Sequence, residues 1–195
     1  MKRIILASSS PRRIEMMKNN GYNPEIIPAD VEEKILIDMS CESAAMAMAL
    51  KKAAYIAENL YADNVSSSCE SNAGAVIIAA DTIVVYGNEI MGKPVDRNDA
   101  LRMLSRLKNS SHQVMTGVAI IDTKTNLKHC FCDTTDVCFK DYSDEELYSY
   151  VDTDEPYDKA GAYAIQGTFG QYIDHFEGDY DNVVGLPWYR VKEYL

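Results

Sequence analysis

The feature that most constrains the fold is a continuous apolar run near the middle of the chain, Ala75 to Ala80. Its length suits a β-strand, and a run without polar interruptions is typical of a strand that is covered on both faces. The run ends in Asp81-Thr82, after which Ile83 to Tyr86 resume a strand pattern. We therefore expect a central strand that ends at Asp81-Thr82 and a second strand after it.

Asp81 is a candidate functional residue because of its position beside these strands. A carboxylate flanked by buried strand residues is costly unless it is paired or bound to a metal ion. The alternative is an aspartate that caps the end of a strand. Gly87-Asn88 is typical of a hairpin turn, and we expect the returning arm, Glu89 to Pro94, to bring Lys93 close to Asp81.

The N-terminal stretch has the pattern of a strand, a turn and a helix start. Ile4 to Ala7 are apolar, and three serines, Ser8 to Ser10, precede Pro11. The last serine suits the N-cap, and proline is favoured at the first helical position. Arg12 and Arg13 then lie in the first turn, where the helix dipole favours anions. The stretch is either a phosphate site of arginines, hydroxyls and helix N–H groups, or an ordinary turn with two solvated arginines.

A long helix is expected from Ser40 to about Tyr61. Its apolar stripe recurs at steps of three and four, at Met46, Leu50, Ala53, Ala57 and Leu60. Lys51 and Lys52 interrupt the stripe, and each lies either on a solvated face or toward an anion site. The acidic segment Asp30 to Glu33 is expected on a loop before this helix, and Asp63 to Gly74 on a polar surface loop after it.

The rest of the chain predicts further helices and strands in alternation, with no repeats and no linker, hence a single domain over residues 1–195. A segment rich in glycine and alanine, Glu155 to Gly167, is expected to be a binding loop because small residues allow close backbone approach. The other expected elements are a helix over 96–107, strands over 114–121, 129–139 and 172–176, a helix capped by Ser143 and a C-terminal helix.

Charge and composition exclude several classes of partner. The net charge of −11 argues against duplex nucleic acid or an anionic membrane as the main partner, because both require a basic surface. No stretch is long and apolar enough for a signal peptide or a membrane-spanning helix. Five cysteines without a C-x-x-C pair are expected to be reduced thiols in a cytoplasmic protein.

The candidate residues suit phosphoryl chemistry. The chain has no P-loop and no dinucleotide-binding glycine motif, so those forms of phosphate binding do not apply. An arginine–serine anion site, an aspartate beside a strand and a nearby lysine instead suit a reaction in which carboxylates hold a divalent metal and basic groups hold phosphates.

Six motifs, in this order, closely resemble those of the Maf family, whose members are nucleoside triphosphate pyrophosphatases. They are S-S-S-P-R-R, A-D-T, G-K-P, T-G-V, D-K-A-G-A-Y-A-I-Q-G and G-D-Y-D-N-V-V-G-L-P. The resemblance covers nearly the whole chain. It implies an α/β fold with a central elongated mixed sheet flanked by helices, and two lobes around a nucleotide cleft, as in inosine triphosphatase.

The resemblance also assigns roles to single residues. Asp81 matches the family's catalytic aspartate, a proton acceptor. Arg12, Thr82 and Gln166 match the trio that marks the branch acting on dTTP and UTP. The residues that line up with the family's polar cleft positions are Arg13, Glu33, Lys52 and Lys93. Ala79, Ala164, Asn109-Ser110 and an apparent insertion at Ser66 to Ala73 depart from the family pattern.

These assignments predict hydrolysis of dTTP and UTP to the monophosphate and pyrophosphate. Asp81 and Glu33 are expected to hold Mg²⁺ or Mn²⁺, and Asp81 to orient or deprotonate the attacking water. Ser8, Arg13, Lys52 and Lys93 are expected to bind the phosphates; Arg12 would help neutralise them. Thr82 and Gln166 would recognise the pyrimidine, since an amide can both donate and accept. The alternative is a nucleotide-binding regulator of cell division with little or no turnover. The sequence leaves a homodimer open.

Overall fold

The computed structural model describes residues 2–32, 39–66 and 74–195, and the side chains of residues 62–66 are not described. Within these residues lies a seven-stranded sheet with six main helices. The strands are β1 (Arg3–Leu6), β2 (Glu25–Ile26), β3 (Ala75–Tyr86), β4 (Glu89–Met91), β5 (Ser111–Asp122), β6 (Leu127–Phe139) and β7 (Ile173–Glu177). The helices are α1 (Pro11–Asn19), α2 (Cys41–Ser66), α3 (Arg97–Leu107), α4 (Asp144–Val151), α5 (Tyr180–Val184) and α6 (Trp188–Val191).

The sheet is mixed. Its strand order is β2-β1-β3-β5-β6-β7, with β4 paired to β3. β1 runs parallel to both β2 and β3, whereas β3 pairs antiparallel with β4 and β6 antiparallel with β7. The prediction of an α/β fold with a mixed sheet flanked by helices is therefore confirmed.

The chain divides into two compact units. Unit 1 comprises Met1–Asp81, Thr116–Cys132 and Gly185–Leu195, and unit 2 comprises Thr82–Met115 and Asp133–Val184. Three strands, β3, β5 and β6, contribute residues to both. In unit 1, alanines and the one isoleucine of α2, Ile56, pack on β3 and β5. In unit 2 the core is richer in aromatic residues, with Phe139 and Phe169 nearly inaccessible.

β3 runs without a break through Asp81 and Thr82, so the prediction that a strand ends there is wrong. Strand hydrogen bonds involve only the backbone, and both side chains are partly exposed, so neither residue forces the strand to stop. Asp81 consequently lies inside a twelve-residue strand rather than at its end. The turn at Gly87-Asn88 and the returning strand β4 are confirmed, and Val84 pairs with Met91.

The buried face of α2 agrees with the predicted stripe only in part. Ala53 and Ala57 of the stripe are buried, whereas Leu50 is 36% exposed, and Ala45 and Ala49, which the stripe does not include, are fully buried. Small side chains let the helix approach the sheet closely: a Cβ on Gly117 of β5 would lie 2.2 Å from the carbonyl carbon of Ala45. The closest approach to β5 is therefore made at an alanine outside the stripe.

Both ends of α2 bear on the predictions. Ser40 caps its start, with its Oγ accepting a hydrogen bond from the amide of Ser43 at 3.2 Å. The helix continues to Ser66, so the surface loop predicted from Asp63 is wrong over its first four residues. Of the rest of that loop, residues 67–73, which are most of the apparent insertion, lie outside the described residues. None of the described helices combines the length and the apolarity that crossing a bilayer would require.

Candidate functional site

The centre of the site in unit 1 is an ion pair between α2 and β3. Lys52 Nζ lies 2.6 Å from Asp81 Oδ1, and the two side chains are only 12% and 19% exposed. Asp81 has the strand parity of Ile77 and Ala79, which pack against α2, so its side chain belongs to the face that α2 covers. Of the two alternatives for a strand aspartate, the structure shows a paired carboxylate rather than a cap.

Helix α2 brings Lys52 to this position by packing on the sheet. Ala45 lies against Gly117, and Lys52 follows Ala45 by two helical turns, so both belong to the same helix face. The neighbouring Lys51 is exposed, and its Nζ donates to the backbone oxygen of Glu32 at 2.7 Å. Of the two lysines, Lys51 is thus the exposed one and Lys52 the one that pairs with Asp81, and a role of Lys52 toward an anion stays a prediction.

The loop after β1 begins at the carboxyl end of that strand, beside the middle of β3. β1 and β3 are parallel, Leu6 pairs with Ile78, and the amide of Ala7 donates to the oxygen of Ile78 at 2.8 Å. Ligands of open α/β sheets bind beyond the carboxyl ends of parallel strands, so the position suits an anion.

Helix α1 starts as predicted, with Ser10 at the N-cap and Pro11 at the first helical position, although the Ser10 side chain makes no capping hydrogen bond. The helix ends in a Schellman arrangement. The amide of Gly21, at φ +83°, donates to Lys18 O at 2.9 Å, and the amide of Tyr22 donates to Met17 O at 3.0 Å. The C-terminal end of the helix is thus fixed by two backbone hydrogen bonds, and its N-terminus follows the short loop after β1.

Arg13 makes contacts within the protein. Its Nε donates to the backbone oxygen of Gly185 at 2.7 Å, and its Nη1 to Ser8 Oγ at 3.2 Å. Ser8, which is 9% exposed, also accepts from the amide of Ser10 at 3.2 Å. Arg13 therefore joins the β1–α1 loop to the glycine of the G-L-P motif. Arg12 is partly exposed in the first turn of α1.

Three candidate residues belong to unit 2, namely Thr82, Lys93 and Gln166. Thr82 lies on the face of β3 opposite to Asp81, the face of Val84. A Cβ on Gly161 would lie 2.9 Å from Val84 Cγ1, so the segment before Gln166 packs on this face as well. Gln166 is exposed in a turn, and Lys93 is exposed two residues beyond the end of β4.

The structure thus brings together Lys52 with Asp81, and Ser8 with Arg13, both in unit 1. Two contributors lack any assigned role in the sequence analysis. Gly185 accepts from Arg13 through its backbone, which no side-chain pattern reveals. Glu155 binds the loop that carries Gln166, and its place at the start of the small-residue segment is the one signal that pointed to it.

The donor set for a metal ion is incomplete in the described part of the chain. Glu33 lies outside the described residues, and those residues contain no group of three or more histidine, cysteine or acidic side chains suited to a metal. Asp81 presents a partly exposed carboxylate. Mg²⁺ commonly uses one or two protein carboxylates and completes its shell with water and substrate phosphate oxygens, so Asp81 is compatible with such an ion.

Comparisons with known proteins agree on one family. The family model described as Maf-like protein matches residues 3–195. The chain is 42% identical over 191 residues to the dTTP/UTP pyrophosphatase of Alkaliphilus oremlandii, covering 98% of this chain and 93% of that protein. It is 43% identical to the protein of the same name from Caldicellulosiruptor bescii, with 98% and 92% covered, and 41% identical to that of Bacillus anthracis, with 100% and 95% covered.

One solved structure is also similar, a HAM1 protein from Coxiella burnetii. It is 14% identical in sequence, with a TM-score of 0.46, and the match covers 71% of this chain and 73% of that one.

Proposed function

The chain belongs to the Maf-like protein family, and from this premise we propose that it hydrolyses dTTP and UTP to the nucleoside monophosphate and pyrophosphate. Relatives that are about two-fifths identical over nearly their whole length carry that activity in their names. The observation in this chain that carries the proposal is the partly buried ion pair of Lys52 on α2 with Asp81 on β3, the strand next to β1 in the sheet.

Asp81 is assigned the role of orienting the attacking water and accepting its proton. Its carboxylate is partly exposed, so a water molecule can reach it, and Lys52 fixes its orientation. A Mg²⁺ or Mn²⁺ ion held by Asp81 and Glu33 would offset phosphate charge and lower the pKa of bound water.

The phosphates are assigned to the basic groups at the N-terminus of α1 and on α2. Arg12 and the first amides of α1 lie at the positive end of a helix, where anions are favoured by about 0.3–1 kcal/mol. Lys52 is the basic group on α2, and its Nζ is held at Asp81. Arg13 holds the β1–α1 loop against Gly185 and thereby keeps the helix start in place.

Specificity is assigned to Thr82 and Gln166. A site that hydrogen-bonds a base edge rejects bases without matching groups, because its polar groups are then left unpaired. The proposal therefore predicts that dTTP and UTP are good substrates and that ATP and GTP are poor ones. The activity is placed in the cytoplasm, which suits a chain with five cysteines, an odd number.

The test is a panel of nucleoside triphosphates assayed for pyrophosphate release, with the unaltered protein and Asp81→Asn. This substitution keeps the shape of the side chain and removes the base, so we expect turnover of dTTP to fall by roughly 10²- to 10⁴-fold while the fold survives. Asp154→Asn, an exposed carboxylate in unit 2, is the matched control.

Each outcome of this panel is informative. Near-normal turnover by Asp81→Asn would remove the residue from the reaction. Tight nucleotide binding without pyrophosphate release by the unaltered protein would favour the regulatory alternative. Equal turnover of all four nucleotides would overturn the pyrimidine specificity.

A further inference from the structure

Gln166 lies in a tight turn. The amide of Gly167 donates to the oxygen of Ala164 at 2.9 Å, which makes Ile165 and Gln166 the two central residues of a four-residue turn. The amide of Gly170 then donates to the oxygen of Gly167 at 3.0 Å, at the start of a 3₁₀ turn, Thr168–Tyr172. The backbone around Gln166 is therefore defined, although its side chain is exposed.

Both carboxylate oxygens of Glu155 bind Thr168, the residue that directly follows this turn. Oε1 accepts from the amide of Thr168 at 3.0 Å, and Oε2 accepts from Thr168 Oγ1 at 2.6 Å. A Cβ on Gly167 would lie 2.0 Å from Glu155 Oε1, so the carboxylate reaches the turn only because residue 167 is glycine. We call this pair of hydrogen bonds the Glu155–Thr168 clamp.

The backbone of Glu155 is itself held by hydrogen bonds to neighbouring residues of unit 2. Its amide donates to Thr153 Oγ1 at 3.2 Å, and its backbone oxygen accepts from Lys159 Nζ. The adjacent Pro156 is buried, and the hydroxyl of Tyr157 donates to Val151 O at 2.7 Å. The clamp thus ties the Gln166 turn to the end of α4, which packs in the core of the unit.

From this geometry we propose that Glu155 is a positioning residue that holds the Gln166 turn ready for the base and so sets the preference for pyrimidine nucleotides. The inference rests on the proposed function. Glu155 directs both its oxygens at Thr168, and its negative charge disfavours contact with a triphosphate, so it acts through the turn rather than on the nucleotide. A turn bordered by Gly167 and Gly170 otherwise loses more conformational entropy when Gln166 binds a base.

The test measures kcat/KM for dTTP and for ATP in clamp variants. Removing the hydrogen bonds in Glu155→Ala is expected to lower kcat/KM for dTTP about tenfold, mainly through a higher KM, and to leave that for ATP unchanged. Thr168→Val, which keeps the shape and loses the hydroxyl, is expected to lower the dTTP:ATP ratio about threefold, and Thr168→Ser to retain it. Asp154→Ala removes the adjacent exposed carboxylate and is the matched control.

Repeating the Glu155 change in a Gln166→Ala protein separates a positioning role from a general loss of structure. In Gln166→Ala, the further change Glu155→Ala is expected to leave the dTTP:ATP ratio unaltered, because the clamp acts through Gln166. A ratio that survives Glu155→Ala and Thr168→Val, or equal effects in both backgrounds, overturns this inference alone. An unaltered protein without a preference for dTTP and UTP overturns the proposed function and this inference with it. If Glu155→Ala does not fold, the two Thr168 variants decide.

Discussion

His112 is a residue that the core of unit 2 keeps uncharged. It is 2% exposed, stacks on Phe139, and shares a hydrogen bond of 2.6 Å with the hydroxyl of Tyr163. Its Nδ1 has no partner among the described residues, and burial lowers the pKa of His112 to about 4. The same burial raises the pKa of Tyr163, so this pair stays neutral over the working range of pH.

This lowered pKa predicts a loss of stability in mild acid. The unfolded chain binds a proton at His112 below a pKa of 6.5 and the folded chain only near 4, so the stabilisation is complete above 6.5 and is lost as pH falls between these values. We expect His112 to account for roughly 2 kcal/mol of the decrease in the free energy of unfolding between pH 7.5 and pH 5. Urea unfolding at the two pH values measures it.

The control for this prediction is the double variant His112→Phe with Tyr163→Phe, which removes the titrating ring and also the hydroxyl that would lose its partner. Carboxylates titrate in both proteins, so only the difference between their pH dependences reports on His112. Identical dependences would show that this histidine does not contribute.

At the scale of elements, the contact of α2 with β5 is the one on which the position of Lys52 depends. Gly117→Ala would place a methyl group against the backbone of Ala45 and push the helix from the sheet. We expect a loss of about 1–3 kcal/mol in the free energy of unfolding, typical of overpacking, together with lower kcat/KM for dTTP as Lys52 moves from Asp81. Gly92→Ala is the stability control, because a Cβ there meets nothing within 4 Å. Equal stabilities of the two variants would contradict the prediction.

The same helix shows what the sequence could and could not predict. Its existence and its cap at Ser40 follow from local patterns, which depend on neighbouring residues only. Its buried face follows only in part, because the small side chain of Ala45 matches Gly117, a residue far away in the chain. Likewise the polar character of Asp81 within an apolar run marks it as a candidate, whereas its pairing with Lys52 depends on how α2 packs on the sheet.

Backbone contacts were the least predictable part of the site. Arg13 was expected to contact phosphate, and the structure shows it donating to the oxygen of Gly185, a contact that carries no side-chain signature. The Glu155–Thr168 clamp is similar, since it depends on an amide and on the absence of a Cβ at Gly167. The phosphate-binding roles of Ser8, Arg13 and Lys93 stay predictions.

At the scale of the whole molecule, the net charge of −11 opposes the binding of any polyanion. The candidate phosphate-binding groups are few, and one of them, Lys52, already faces a carboxylate. A divalent cation carried with the triphosphate reduces the charge that this acidic chain must accept. The same imbalance disfavours oligonucleotides, whose many phosphates would each need neutralisation.

Chelation therefore tests whether pyrophosphate release requires a divalent cation. We expect pyrophosphate release from dTTP to vanish in excess EDTA and to return when Mg²⁺ or Mn²⁺ is added beyond the chelator. Raising NaCl to about 0.5 M in the presence of EDTA shortens the Debye length to roughly 4 Å and screens the net charge without supplying a divalent ion. If salt alone restores turnover, the cation acts only by screening. If turnover persists in excess EDTA without added salt, the reaction needs no metal, and Asp81 with its basic neighbours carries it unaided.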